Sequence, residues 1–155
     1  METVLNPFGR IGPVTFRNIA IILILIGAMF SLLPWVRPDM ALFSFASFLL
    51  LYPWVVIWIR RFHDAGKSGK WFLAVLAAYM ITGIAVNRLI VARFIPAPPP
   101  VDPHFVMLSM EAQMRANALP GTIASVIISL AFALVINEEL KSDPAENAYG
   151  PPPAR

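Results

Sequence analysis

The chain has 155 residues, 58% hydrophobic and 14% charged, with a net charge of +3 and a mean hydropathy of +0.70. A soluble globular domain carries about a quarter charged residues, so this composition excludes a chain that covers itself with a water-facing surface and points to a membrane-embedded one. Cysteine is absent, which removes disulfides, thiolate nucleophiles and zinc–cysteine or iron–sulfur sites together. In a membrane protein the side on which cations sit outweighs their sum, so no nucleic-acid partner is expected from the basic balance. The length suits a single domain over residues 1–155.

Residues 1–17 are mixed in character and are not expected to be a secretory signal, because the apolar run that follows is too long for one and no small-residue cleavage site follows it. A first span is expected over about 18–36, since the chain runs without a charge to Val36 and about 20 apolar residues suffice to cross a bilayer. Arg37-Pro38-Asp39 reads as a tight connection between antiparallel helices. A second span follows over about 40–59, with Pro53 inside it and expected to kink it. It stops at Arg60-Arg61.

Next comes the densest block of charge in the chain, Arg60-Arg61-Phe62-His63-Asp64-Ala65-Gly66-Lys67-Ser68-Gly69-Lys70-Trp71. It reads as a loop. Ser68 is placed to cap a third span, about 71–90, whose polar end carries Asn87 and Arg88, with Arg93 beyond. Pro96-Ala97-Pro98-Pro99-Pro100 reads as a stiff spacer, and Asp102-Pro103 as a helix start. The resulting short amphipathic helix, within a connector over 96–118, cannot span and is expected on the membrane surface or against the bundle. Pro120-Gly121 should break the chain before a fourth span over about 120–137. The tail over 141–155 is polar and expected to be flexible. The fold class expected is all-α: a four-span membrane bundle with an extra periplasmic amphipathic helix.

Counting cations by side sets the orientation. With both termini and the 60–70 block on one side, that side holds Arg10, Arg17, Arg60, Arg61, Lys67, Lys70, Lys141 and Arg155, against Arg37, Arg88, Arg93 and Arg115 on the other. The positive-inside rule then makes both ends cytoplasmic.

Three segments carry a resemblance. They are Phe8-Gly9-Arg10-Ile11 before the first span, the Arg60–Phe72 block, and Asn147-Ala148-Tyr149-Gly150-Pro151 after the last span. Together they resemble the bacterial inner-membrane proteins grouped as domain-of-unknown-function family 805. That family shows a Gly-Arg-Ile opening, an Arg-Arg-x-His-Asp-x-Gly-(Arg/Lys)-Ser-Gly block and an Asn-x-Tyr-Gly close. The opening departs from the pattern, since Gly12-Pro13 follows where members carry a basic residue and an aromatic pair. The resemblance implies a multi-pass inner-membrane fold and assigns no activity.

Each candidate for chemistry has a structural alternative. His63 beside Asp64 suggests proton transfer, but sequence neighbours rarely face one another, and a metal needs three or four ligands. The structural alternative anchors Arg60, Arg61, His63, Lys67 and Lys70 at the headgroups, where each cation contributes roughly 1 kcal/mol, and uses Asp64, Gly66, Ser68 and Gly69 to shape the turn. Gly66-Lys67-Ser68 is not a nucleotide-binding loop, because Arg61 stands where its first glycine is required. Met107, Met110 and Met114 with His104 suggest Cu(I), yet methionines more often fill an apolar docking face. No metal or other cofactor is expected. No acid lies inside a span, which argues against a proton-coupled transporter, and Gly27, Ser31, Ser44, Ser47, Gly83, Gly121 and Ser125 read as sites of close helix packing.

The functional expectation is a small non-enzymatic scaffold or accessory subunit of a larger inner-membrane complex. Phe105, Met107, Met110 and Met114 would dock the partner, with membrane lipids around the bundle and self-association open. The alternative is a lipid-headgroup or small-anion binder using Arg60, Arg61, His63, Lys67 and Lys70.

Overall fold

The first helix begins at a signal that hydropathy alone passes over. Gly12 is extended (φ −70°, ψ 162°) and Pro13 takes the first helical position, where its missing N–H has no partner to lose. In the computed structural model, which describes residues 6–91 and 106–153, α1 therefore spans Pro13–Val36 rather than starting at residue 18. Pro34 lies within its last turn. Arg37 then leaves the helix, its amide still bonded to the Leu33 carbonyl at 2.8 Å.

Pro38–Leu50 winds as a 3-10 helix and passes without interruption into α2, Leu51–Asp64. Pro53 stands in the first turn of α2, just past the point where the winding changes from 3-10 to α, so the change of winding falls where proline withholds a backbone donor. The helix α2 does not stop at Arg60. It carries Arg60, Arg61, Phe62, His63 and Asp64 as its last turn.

The third helix, α3, is Trp71–Val86, extended through a π-helical stretch over Asn87–Val91 whose Asn87 and Arg88 are exposed. The fourth, α4, is described over Val106–Glu139 with Pro120 inside it. The expected break at Pro120-Gly121 is absent, and from Val106 onward the expected separate amphipathic helix is continuous with the fourth span. Ala116, Ala118 and Leu119 are strong helix formers, and in apolar surroundings an unwound backbone costs more than the single bond that a proline forfeits. The Pro96–Pro100 spacer, the Asp102-Pro103 start, His104 and Phe105 lie outside the described residues. Met107, Met110 and Met114 lie on α4, and their side chains lie outside the description.

Among the described residues four segments are long and apolar enough to cross a membrane: Pro13–Val36, Phe45–Asp64, Trp71–Leu89 and Ala116–Glu139. Among the described residues there is no β-strand, only an isolated bridge between Asn147 and Gly150. α1 packs most extensively on α4 and on the 3-10 segment. α3 is peripheral: 6% of its span is buried, against 33% of Phe45–Asp64.

The fully buried apolar residues gather at one end. Phe16, Ala20, Ile57, Trp58, Phe62, Phe72, Ala133 and Leu140 form the core, organised by Trp58, which meets Phe16 edge-on at 4.8 Å and stacks near Phe62 at 5.9 Å. Such aromatic pairs each add about 0.5–1.5 kcal/mol beyond their burial. Two of the small residues expected to bring helices together do not: a Cβ at Gly83 or Gly121 would meet nothing within 4 Å.

Candidate functional site

The site grows from the way α2 ends. Gly66 has φ +68°, a left-handed conformation that costs other residues about 1–2 kcal/mol. That turn lets the Gly66 amide bond the His63 carbonyl (3.0 Å) and the Lys67 amide bond the Phe62 carbonyl (2.9 Å), the pair of reversed bonds of a Schellman cap. The cap fixes the direction in which Arg61 and Asp64 leave the helix. The chain then tucks beneath it: a Cβ on Gly69 would lie 2.7 Å from Ile59 Cγ2 and 3.3 Å from His63 Nε2, so nothing larger than glycine fits there unless those side chains move. Ser68 is not the helix cap. Its hydroxyl accepts weakly from the Lys70 amide (3.4 Å), and Lys70 occupies the cap position of α3.

Asp64 is fully buried and sits between two guanidinium groups. Arg61, one turn earlier, donates from Nη1 to Oδ2 at 2.8 Å. Arg10, from the segment before α1, donates from Nε and Nη2 to Oδ1 at 3.3 and 3.2 Å. Neither arginine side chain is more than 1% exposed. Buried charge is tolerated when its remaining donors are satisfied, and here they are. Arg61 also donates to Asn137 Oδ1 (2.6 Å), the Asn137 carbonyl (3.0 Å) and the Leu140 carbonyl. Arg10 also reaches the carbonyls of Ala145 (2.7 Å), Gly150 (3.3 Å) and Asp143. Ser142 donates its hydroxyl to Asp64 Oδ2, and the Asp143 amide donates to the Asp64 carbonyl at 2.8 Å.

The remaining contacts tie down both ends of the chain. The Ile11 amide donates to the Arg60 carbonyl, and Arg60 Nη2 donates to the Arg10 carbonyl. The His63 ring lies flat on Tyr149, centroids 3.8 Å apart and 3° from parallel, while Nδ1 contacts the Gly9 carbonyl at 3.2 Å. A carbonyl can only accept, so the proton in that bond belongs to Nδ1. Asn147 Nδ2 donates to the His63 carbonyl at 3.1 Å. Gly9 and Gly150 carry the other two positive-φ conformations among the described residues. Each of the three segments thus has one glycine that turns the backbone toward the others.

This arrangement divides the expected site residues. Arg60 and Arg61 are buried and His63 is half-buried against Tyr149, so they do not form one cationic surface with Lys67 and Lys70, which are exposed. The charges read as a headgroup anchor serve instead as internal ties. The tail is tied down as far as Gly150, because Asp143, Ala145, Asn147 and Gly150 are all held by Arg10 or by the end of α2. Sequence reasoning missed Asn137 and Ser142. Asn137 carried a signal, being an amide at the end of an apolar helix, where polar groups are expensive unless paired. Among the described residues no group of three or more His, Cys, Asp or Glu could hold a metal.

A helical bundle of four span-length apolar segments, with its two terminal segments drawn onto one helix end by a carboxylate between two arginines, defines a multi-pass type of architecture. The chain matches the family described as "Protein of unknown function (DUF805)" over residues 5–151 and belongs to it. No curated protein and no solved structure matches the chain.

Proposed function

We propose that this protein is a small, non-enzymatic integral membrane protein of the bacterial inner membrane that acts as a scaffold or accessory subunit of a larger membrane complex, with both termini and the 65–70 turn in the cytoplasm. The observation that carries this reading is the use made of the most chemically capable side chains. Asp64, Arg61 and Arg10 are sealed from solvent and committed to one another and to backbone carbonyls. A general acid or base must reach a substrate proton, whereas a clasp that fixes both chain ends to one helix makes a rigid body for a partner to hold. The partner surface is the part of α4 that extends before its span, over 106–115, where Val106 and Leu108 are exposed. Met107, Met110 and Met114 belong to the same docking segment, and Phe105 precedes it in the sequence.

The test is extraction from the native membrane in mild detergent, followed by native electrophoresis and mass spectrometry. Stoichiometric comigration with a larger complex, lost in Leu108→Glu without loss of folded protein, is the expected result. Migration as a monomer or dimer overturns it.

A second reading is favoured by one observation. Lys67 and Lys70 stand exposed on the turn before α3, next to an exposed Trp71, a combination suited to an anionic headgroup or a small anion. Arg60, Arg61 and His63 drop out of that set. Lys67→Gln with Lys70→Gln should then lower copurifying anionic lipid, and unchanged lipid sinks the reading.

A further inference from the structure

Gly27, Ala28 and Ser31 line one wall of a cavity of about 370 Å³ reached by side chains from α1, the 3-10 segment, α2, α3 and α4. That volume falls within the range of about 300–1,000 Å³ typical of small-molecule sites. It exists because α3 packs on α2 and α4 and leaves the small-residue face of α1 unfilled. On α1 the lining runs from Leu23 to Ser31, roughly 12 Å at a rise of about 1.5 Å per residue.

Three properties define what fits. Among the described residues no acidic, basic or histidine side chain lines the cavity, so a charge placed there would lose its hydration without compensation. The hydroxyls of Tyr79 and Ser129 bond each other at 3.0 Å, and Ser125 donates to the Thr122 carbonyl at 3.0 Å, so three of the lining hydroxyls are already engaged with protein partners. Finally, the lining includes Phe48 and Leu51 on one side and Met80 on the other, and all three are exposed. The cavity therefore opens sideways, between the second and third span-length segments, along the flank that would face hydrocarbon.

We propose that this cleft holds one acyl chain of a bilayer lipid, entering through the Phe48–Met80 gap and separating α3 from α1. Water fills such a cleft poorly, since an ordered buried molecule needs about two to four polar partners and most of the wall is hydrocarbon. An acyl chain is uncharged, narrow, flexible and already present at the mouth. Its dispersion contacts with the walls replace those that an empty void forfeits. The site is independent of any headgroup bound at Lys67 and Lys70, because it reads only the chain.

The test uses the full-length protein with Trp58 as its only tryptophan (Trp35, Trp54 and Trp71→Phe), reconstituted in vesicles of dioleoyl phosphatidylcholine or its bromine-substituted counterpart. Trp58 lines the cleft and is 1% exposed, so lipid around the outside of the bundle has little access to it. Strong quenching in the brominated vesicles is expected, and Ala28→Leu, which places a side chain where the lipid chain would lie, should cut it at least by half. Ser31→Leu supplies a second filling variant if the first does not fold. Trp58 emission that is equal in both vesicle types overturns the proposal. So does quenching that both filling variants leave unchanged, which would assign it to the outer lipid shell. A headgroup effect is excluded because phosphatidylcholine is zwitterionic in both arms.

Discussion

Among the described residues two ion pairs have the same closest approach and opposite surroundings. Arg61 Nη1 and Asp64 Oδ2 are 2.8 Å apart at 1% and 0% side-chain exposure, and Arg37 Nη2 and Asp39 Oδ2 are 2.8 Å apart at 63% and 62%. Distance alone would rank them as equals. Water decides otherwise. In the exposed pair each partner can exchange the other for solvent, so little is lost when one is removed. In the buried pair neither can, and removal of one leaves an uncompensated charge in a medium that cannot hydrate it. The difference also separates two structural jobs. Arg37–Asp39 decorates the turn between α1 and the 3-10 segment, whereas Asp64 joins segments 54 residues apart through Arg10.

The largest effect is therefore expected at Asp64. Asp64→Asn keeps the shape but leaves Arg10 and Arg61 buried side by side without a counter-charge, and should destabilise the bundle by about 3–5 kcal/mol. Unfolding in mixed micelles with increasing denaturing detergent would show it. A loss below that of an ordinary exposed substitution would mean that the clasp carries little of the fold. Arg10→Lys comes next. It keeps the positive charge but cannot reproduce the planar fork that reaches Asp64 and three tail carbonyls at once. The tail should come free before the helices do, seen as faster tryptic cleavage after Lys141 with helix content unchanged. Equal cleavage rates would place the hold on the tail elsewhere.

Gly69→Ala probes the same end by sterics rather than charge. The new methyl must displace Ile59, 2.7 Å away, and overpacking of this kind costs about 1–3 kcal/mol. A parent-like melting transition for Gly69→Ala would show that the turn relaxes around it.

How much of this was legible beforehand follows from which interactions are local. The four spans were readable because hydropathy sums over a window, and the Gly66 turn because a glycine after a helix is a local signal. The role of Arg60-Arg61 was not. Charges end a span unless something buries them, and what buries Arg61 is Asn137, 76 residues away, together with the backbone of Leu140. No local pattern contains that pairing. Pro53 and Pro120 show the same limit for the backbone. Each reads as a breaker, but Pro53 follows a 3-10 stretch that runs directly into α2, and Pro120 is carried by a helix that continues on both sides. The family resemblance held information of another kind. It marked Gly9-Arg10-Ile11, the Arg60–Phe72 block and Asn147–Pro151 as belonging together, and these are the segments that meet at Asp64. The connector's docking residues and the headgroup reading rested on exposure, which a sequence does not show. There the structure separates Lys67 and Lys70 from Arg60 and Arg61.

The smallest effect is expected at the exposed pair, and pH sharpens it. Hydrogen bonds from the Arg37 guanidinium hold the Asp39 carboxyl below its usual range. A carboxyl whose pKa is lowered on folding contributes stability that is present above its unfolded value and is lost as the pH falls through its folded value. Because both partners are open to solvent, that contribution is screened and should vanish at high salt. Arg37→Gln should therefore return the Asp39 pKa toward that of a free carboxylate, followed by NMR titration, while the melting transition at neutral pH stays within error of the parent. A clear loss of stability in Arg37→Gln, approaching that of Asp64→Asn, would overturn the contrast between the two ends. It would mean that the turn after α1 is covered by something that excludes water as effectively as the clasp does.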